Sequence, residues 1–488
     1  MNLRPSEILT EQQVQSGQKY ILKDSLAGEA MVNLSGGAFI TAMALHLGAS
    51  NFQIGLLASL PILTNIFQLF SIWLVQRYNN RRAVAVVGSF LGRFPMLFAA
   101  FLPFMFSTAM GLKLLLVILF AHYFFGSIAG ASWNAWVKDL IPENGLGAFF
   151  SHRTRLVTIL SAVLSLFVSF TIDYVKAHYI DHLTLTYYAI FVLGGIIGLV
   201  GVIWLSRAPE PMPIPVKENV FAQFKKPLGD KNFRNLLKFN AAWAFALNLA
   251  VPFFTVFIMK TIGLSLSYVI GFTMLAQASN ILTIKKVGRL TDRYSNKTLI
   301  HICAPVYIVC ILAWTYAAMP ESKLYSVLIL AVISVVSGVA TGGIALALNN
   351  IGMKLAPRRE AMAYMSSLNM VVAFFSAISP IIGGLLADFF ATYQLVWDFQ
   401  WKDAAGVETF QLINLHSWSF LFIIGGMMAF VSLRLLNKVK EQGEVQKDRV
   451  MLYMQARLRK QIRQNSHTLK GGVLKPVQKV QTLMRQAS

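Results

Sequence analysis

Glu29 and Asn33 stand four residues apart in a stretch that is otherwise small and apolar. On a helix that spacing puts them on one side. A carboxyl inside a membrane-spanning helix costs about 2.5–3.5 kcal/mol on the insertion scale, so it needs a partner, water or a raised pKa. A carboxyl held that way can load and release a proton, which is the chemistry of proton coupling. If the span begins later, Glu29 is instead an interfacial acid. Asn33 has a twin in Asn248, and each lies 15 residues before a matched glycine, Gly48 or Gly263. That distance is about 22 Å along a helix at ~1.5 Å per residue, which puts both near the middle of a bilayer. A polar residue at that depth suits a solute site or an interhelical hydrogen bond.

Other polar positions follow helical spacing. His122, Gly126, Gly130 and Asn134 recur every four residues, and 215 residues on they meet Ser337, Thr341, Ala345 and Asn349. Small and polar stripes of this kind suit a cavity wall or close helix packing. Gln277 and Asn280 share one side of a helix and could touch a solute. Arg93 lies mid-span, where it must snorkel or find a partner. Trp133, Trp136 and Trp243 suit a cavity or an aromatic belt. Cys303 and Cys310 share one span and read as buried apolar thiols, with no disulfide or metal site. No HExxH motif, Walker loop or nucleotide fingerprint is present, and no nucleophile–base pair stands out. The expectation is therefore no enzyme, no cofactor and no metal.

The elements that carry these residues are membrane spans. The chain is 56% hydrophobic and 13% charged, against about a quarter charged for an ordinary soluble domain. Apolar runs predict an all-α integral membrane protein with twelve spans near 24–47, 52–75, 83–107, 113–136, 153–174, 187–206, 238–260, 264–286, 298–319, 324–350, 362–390 and 415–436. Residues 1–23 are polar and end in Lys19 and Lys23, the wrong layout for a cleavable signal peptide. The net charge of +22 invites a nucleic-acid reading, but its distribution argues otherwise. Twelve spans put 37 of the 43 Lys and Arg on one side and five, Lys113, Lys176, Lys260, Lys323 and Lys402, on the other. Such asymmetry is topological: it predicts both termini in the cytoplasm and no nucleic-acid partner.

The spans are duplicated. Arg77-Tyr78-Asn79-Asn80-Arg81 and Arg293-Tyr294-Ser295-Asn296-Lys297 are the same basic turn, 216 residues apart. An offset of 215 relates Ser50 to Ser265, Asn134 to Asn349, Pro142 to Pro357 and Ser151 to Ser366. The predicted organisation is a cytoplasmic N-terminus over 1–23, a six-helix bundle over 24–206, a linker over 207–237, a second six-helix bundle over 238–436 and a basic tail over 437–488. Alternating prolines from Pro209 to Pro215 should keep the linker extended. Phe221 to Lys238 and the run from Val450 to Arg463 suit amphipathic surface helices on anionic lipid. The loop over 391–414, with Trp397, Phe399 and Trp401, suits a lid or an interfacial segment.

Gly288-Arg289-Leu290-Thr291-Asp292-Arg293-Tyr294-Ser295-Asn296-Lys297 closely resembles the signature loop between the second and third helices of a major facilitator superfamily half. The first copy departs from the pattern, with Ile72 at the Gly position and Gln76 at the Asp position. The resemblance covers residues 24–436 and implies twelve helices in two parallel six-helix repeats. It also implies transport by alternating access, a cavity lined by the first and fourth helix of each half, and gating through Gly288, Asp292 and Arg293, with Arg77 as partial counterpart. Ser379 to Gly384 resembles a Pro-Gly-Gly element that marks drug antiporters when it lies in the fifth helix. Here it lies in the eleventh, which counts against that class.

The expected function is secondary active or facilitative transport of a small solute, with protons as a coupling ion if Glu29 titrates. Substrate- or proton-handling candidates are Glu29, Asn33, His122, Asn248, Gln277 and Asn280. Expected partners are the solute and membrane lipids. The expected state is a monomer in the plasma (bacterial inner) membrane. An alternative is a transporter-like receptor or scaffold that signals through the basic tail.

Overall fold

The computed structural model describes residues 5, 6, 9–212, 226–319, 322–357, 360–403 and 406–441. The rest of the proline run from 213, and the basic tail beyond 441, lie outside the described residues. The segments are α1 (residues 11–46), α2 (Asn51–Tyr78), α3 (Arg81–Ala99), α4 (Thr108–Leu140), α5 (Glu143–His178) and α6 (Leu183–Leu205). They continue with α7 (Lys231–Ile262), α8 (Leu266–Tyr294), α9 (Asn296–Tyr316), α10 (Lys323–Leu355), α11 (Ala361–Phe389) and α12 (Trp418–Leu436). Among the described residues, 11 helical segments are long and apolar enough to cross a membrane. Segment α1 is missing from that set because Asp24, Ser25, Glu29 and Asn33 make it polar.

Local sequence sets where these helices start and break. Segment α1 starts at Glu11, well before the expected 24, because Thr10 and Gln13 form a reciprocal capping box. It breaks at Gly36–Gly37, where Gly37 takes a φ of +55° that favours glycine. Each basic turn reverses at a residue of positive φ, Asn79 at +47° and Ser295 at +130°. The next helix is then capped by Asn80 or Ser295, whose side chain accepts from the backbone N–H three residues on.

The first six helices pack chiefly as α1 on α6 and α5, and α3 on α4; the last six pack as α7 on α11 and α12, and α10 on α8 and α9. The two sets meet where α2 packs on α11 and α5 on α8. At the first seam the backbones touch directly. A Cβ on Gly55 would lie 2.1 Å from the Pro380 carbonyl, and one on Gly384 would lie 2.5 Å from that of Asn51. The Pro-Gly-Gly element of α11 thus serves close approach between the halves.

The fold is all-α as expected, with a two-stranded antiparallel hairpin inserted between α11 and α12. β1 (Gln394–Asp403) pairs with β2 (Gly406–His416), with a bulge between Trp397 and Asp398. Its alternating apolar residues (Leu395, Trp397, Phe399, Trp401) read as a strand period that the helical pattern around them obscures.

Candidate functional site

The turn at Arg77 marks one end of the bundle, here called the basic end; the opposite end is the far end. At the far end the halves exchange carboxylates. Asp388 of α11 accepts from the backbone N–H groups of Asn51 and Phe52 at the start of α2 (3.1 and 2.9 Å). Asp173 of α5 accepts from Leu266 and Ser267 at the start of α8 (3.0 and 2.8 Å). Both acids satisfy orphan N–H groups at a helix N-terminus, where the dipole favours an anion. The offset of 215 relates Asp173 to Asp388 and Asn51 to Leu266, so the latch is reciprocal.

At the basic end each half closes on itself. Glu210, five residues after α6, accepts from the N–H groups of Arg81 and Arg82 (2.9 and 3.0 Å) and pairs with the Arg81 guanidinium, which also meets Asp139. Glu441, five residues after α12, accepts from the N–H groups of Asn296 and Lys297 (3.3 and 2.8 Å) and pairs with Lys354 at 3.0 Å. Burial alone would raise the Glu441 pKa. The N–H of Lys297, the Lys354 ammonium and the Asn296 groups outweigh it, so the pKa lies below the ordinary carboxylate value.

Between the ends, the first six helices line a partly open cavity of about 270 Å³. Asp24, Glu29, Arg93, His122, Trp133 and Arg153 line it. The Arg93 guanidinium donates to Asp24 Oδ1 at 2.8 Å and to the Gly198 carbonyl at 2.7 Å. Both side chains are largely buried, 15% and 6% exposed, so Arg93 pairs rather than snorkels. Glycines make the slot: a Cβ on Gly201 would lie 2.7 Å from Arg93 Nη1. Arg153 Nε donates to Ser25 Oγ at 2.7 Å, and its guanidinium lies 5.1 Å from the centre of the Trp133 ring, within cation–π reach.

Glu29 Oε1 accepts from Asn33 Nδ2 at 3.0 Å. Asn33 Oδ1 in turn accepts from Ser161 and Ser165 of α5 (2.9 and 2.7 Å). Asn33 is therefore a bracket that fixes Glu29 against α5. Asn248 bridges α7 to Ser376 of α11 at 3.1 Å and donates to the Ala244 carbonyl of its own helix at 2.8 Å. Ser376 is the 215-offset counterpart of Ser161, so the Asn–Ser bond is duplicated. Asn248 lies outside the cavity.

The His122 stripe divides. His122, Gly126 and Gly130 line the cavity, and a Cβ on either glycine would meet open space. His122 Nδ1 lies 2.9 Å from the Gly92 carbonyl, so that nitrogen carries the proton the carbonyl accepts. In α10, Ser337 and Thr341 bond back to carbonyls of their own helix. Gln277 and Asn280 of α8 lie outside the cavity. Asn280 packs on α10, where a Cβ on Gly342 would lie 2.2 Å from its Oδ1. Arg77 is exposed in the last turn of α2, and Gly288 lies within α8. The side chains of Asp292 and Arg293 lie outside the described residues. Among the described residues no group of three or more His, Cys, Asp or Glu is placed to hold a metal.

Asp24, Ser25 and Arg153 were missed as site residues by sequence reasoning. Asp24 reads as a span boundary, and Arg153 counts among the loop arginines because its helix was expected to begin there. The structure starts that helix at Glu143, ten residues earlier. The signal that could have found Asp24 was Arg93, the one basic residue in the middle of an apolar span, which needs an acid on a neighbouring helix.

Residues 28–380 match the sequence model of the Major Facilitator Superfamily. No curated protein matches the chain by sequence. Solved structures do match in fold. The nucleoside transporter NupG is 13% identical with a TM-score of 0.57, covering 89% of this chain and 100% of its own. A bacterial homologue of the human lysosomal transporter Spinster, in an inward-facing and unoccupied conformation, is 14% identical with a TM-score of 0.57 over 89% and 100%. A D-xylose-proton symporter is 15% identical with a TM-score of 0.59 over 89% and 100%. At such identities the likeness is one of fold, and the proteins named are transporters rather than enzymes. The chain belongs to the major facilitator superfamily, a multi-pass membrane protein that carries a solute across the bilayer.

Proposed function

We propose that the protein is a secondary transporter that works by alternating access, with the first-half cavity as its solute site. The observation that carries this reading is the charged cavity: two acids and two arginines line a space inside a membrane-spanning bundle, where charge is costly unless it is paired or hydrated and marks a candidate solute path. The reciprocal Asp173 and Asp388 latch supports the access cycle. These contacts join the halves only through backbone N–H groups at helix starts. Rocking one half against the other would break all four together and open the far end. By the positive-inside asymmetry the basic end is cytoplasmic, so the latched far end faces outward. Gly288, Asp292 and Arg293 would gate the cytoplasmic end, with exposed Arg77 toward lipid phosphates.

Glu29 is the proposed proton carrier. Asn33 holds one of its oxygens, and the side chain lines the cavity, where water or solute can reach it. A thermal-shift screen of the purified protein against metabolites, across pH, followed by uptake into proteoliposomes, tests the reading. Arg153→Gln should abolish uptake of the hit; retained uptake rejects the cavity as the site. Glu29→Gln should abolish proton-driven accumulation, and unchanged accumulation removes Glu29 from coupling. Deleting residues 442–488 should leave uptake intact.

A further inference from the structure

The cavity also constrains its cargo. We infer that the solute is a small zwitterion of the free amino-acid class, its carboxylate held by Arg153 and its ammonium by Glu29; this rests on the first-half cavity being the solute site. Four formal charges line the space and cancel: Asp24 and Glu29 against Arg93 and Arg153. A lone anion or cation would leave that space with uncompensated charge, whereas a solute of zero net charge does not.

The four charges are not equally available. Asp24 and Arg93 are committed to each other, and Arg93 also to the Gly198 carbonyl. Arg153 uses Nε on Ser25 Oγ, which leaves its two terminal amino groups, the pair that grips a carboxylate in a two-pronged fashion. Glu29 uses Oε1 on Asn33, which leaves Oε2. Arg153 sits in the field of both Glu29 and Asp24, yet no direct ion pair joins it to Glu29 among the described contacts. The site thus presents one free cationic fork and one free anionic oxygen, held apart by separate brackets. Ser25 and the Trp133 ring position the first. Asn33, with Ser161 and Ser165 behind it, positions the second.

A neutral sugar or nucleoside fits less well. Such solutes stack on an aromatic face, and one face of the Trp133 ring is taken by the Arg153 guanidinium. The volume of about 270 Å³ is near the lower limit of ligand pockets, roughly 300 Å³, so the solute is small.

Thermal unfolding of the full-length protein in detergent, with millimolar probes, tests this. The probes are the free L-amino acids, their N-acetyl and carboxamide derivatives, and D-xylose, uridine, citrate and putrescine. At least one free amino acid should raise Tm by about 2 °C or more. Its N-acetyl form, which lacks the ammonium, and its carboxamide, which lacks the carboxylate, should each lose the shift. Arg153→Gln and Glu29→Gln should also lose it while keeping the wild-type elution profile. A shift that survives either derivative, or no shift with any amino acid, overturns the zwitterion. A shift from xylose, uridine, citrate or putrescine that both variants abolish overturns the class and keeps the cavity. An amino-acid shift unchanged in both variants overturns the assignment to this cavity. The derivative series needs only the wild-type chain, so a variant that fails to fold does not block the test.

Discussion

Asp24, Glu29, Arg93 and Arg153 crowd the space between α1, α3 and α5, whereas 215 residues on the second half carries Phe239, Ala244, Ile308 and Leu368, all buried. Other bonds do survive duplication. Asn33 to Ser161 recurs as Asn248 to Ser376, Asp388 on α2 recurs as Asp173 on α8, and Glu210 after α6 recurs as Glu441 after α12. What is kept holds helices to helices. What is not kept lines a cavity. The contrast separates the frame of the bundle from the charged cavity that we propose handles cargo, and that cavity lies in one half.

The comparison breaks most sharply at Arg93. Arg93→Met leaves Asp24 buried and unpaired and should cost about 3–5 kcal/mol. Ile308→Met, at the matched position, should cost under about 1.5 kcal/mol. The double variant Asp24→Asn, Arg93→Met should recover most of the loss. Thermal unfolding reads all three, and a double variant no better than the single would show that the pair is not the unit.

Glu441→Gln comes next, with a loss of about 1.5–3 kcal/mol for charged hydrogen bonds between α9 and the chain after α12. Its folded pKa lies below its ordinary 4.5. The stabilisation is therefore full above the unfolded pKa and is lost as pH falls through the folded one. The difference between wild type and Glu441→Gln should hold at neutral pH and shrink below about pH 4.5. A gap unchanged at low pH would show that Glu441 acts without its charge.

The latch should respond more weakly and evenly. Asp173→Asn and Asp388→Asn each remove a charged cap worth about 0.5–2 kcal/mol. Because the latch is reciprocal, the two should raise thiol labelling at the far end by similar factors. A strongly unequal pair would show that one seam carries the closure. The smallest effects belong to the duplicated asparagines. Asn248→Ala should cost on the order of 0.6 kcal/mol, typical of an interhelical hydrogen bond in a membrane, and leave transport kinetics alone. Asn33→Ala frees Glu29 and should also move the pH profile of uptake. Identical transport in both variants would dissolve the distinction.

Sequence patterning made the frame legible and the site partly so. Span positions follow from apolar runs, and the duplication from one offset, because those features repeat. Glu29, Asn33 and His122 stood out as polar residues in apolar helices, and the structure brings them to one place. Asn248 stood out by the same rule, and the structure places it outside that cavity, tying α7 to α11. Depth in the membrane is readable from residue counting, but the direction a side chain faces depends on the neighbouring helix. Arg153 was hidden because a positive-inside count treats every basic residue near a turn as topology. The hairpin of β1 and β2 was hidden because its two-residue alternation is short and sits among long helical apolar runs.

The central claim, that the first half holds the solute path, is tested most directly by paired thiol access. In a Cys303→Ser, Cys310→Ser background, Gly126→Cys places a side chain in open space, and Ala244→Cys occupies the buried counterpart of Glu29. In sided vesicles a membrane-impermeant maleimide should label Gly126→Cys from the basic end. It should also label from the far end once Asp173→Asn and Asp388→Asn are added. Ala244→Cys should stay unlabelled from both. Equal labelling of the two cysteines, or none of Gly126→Cys from either side, would contradict the account.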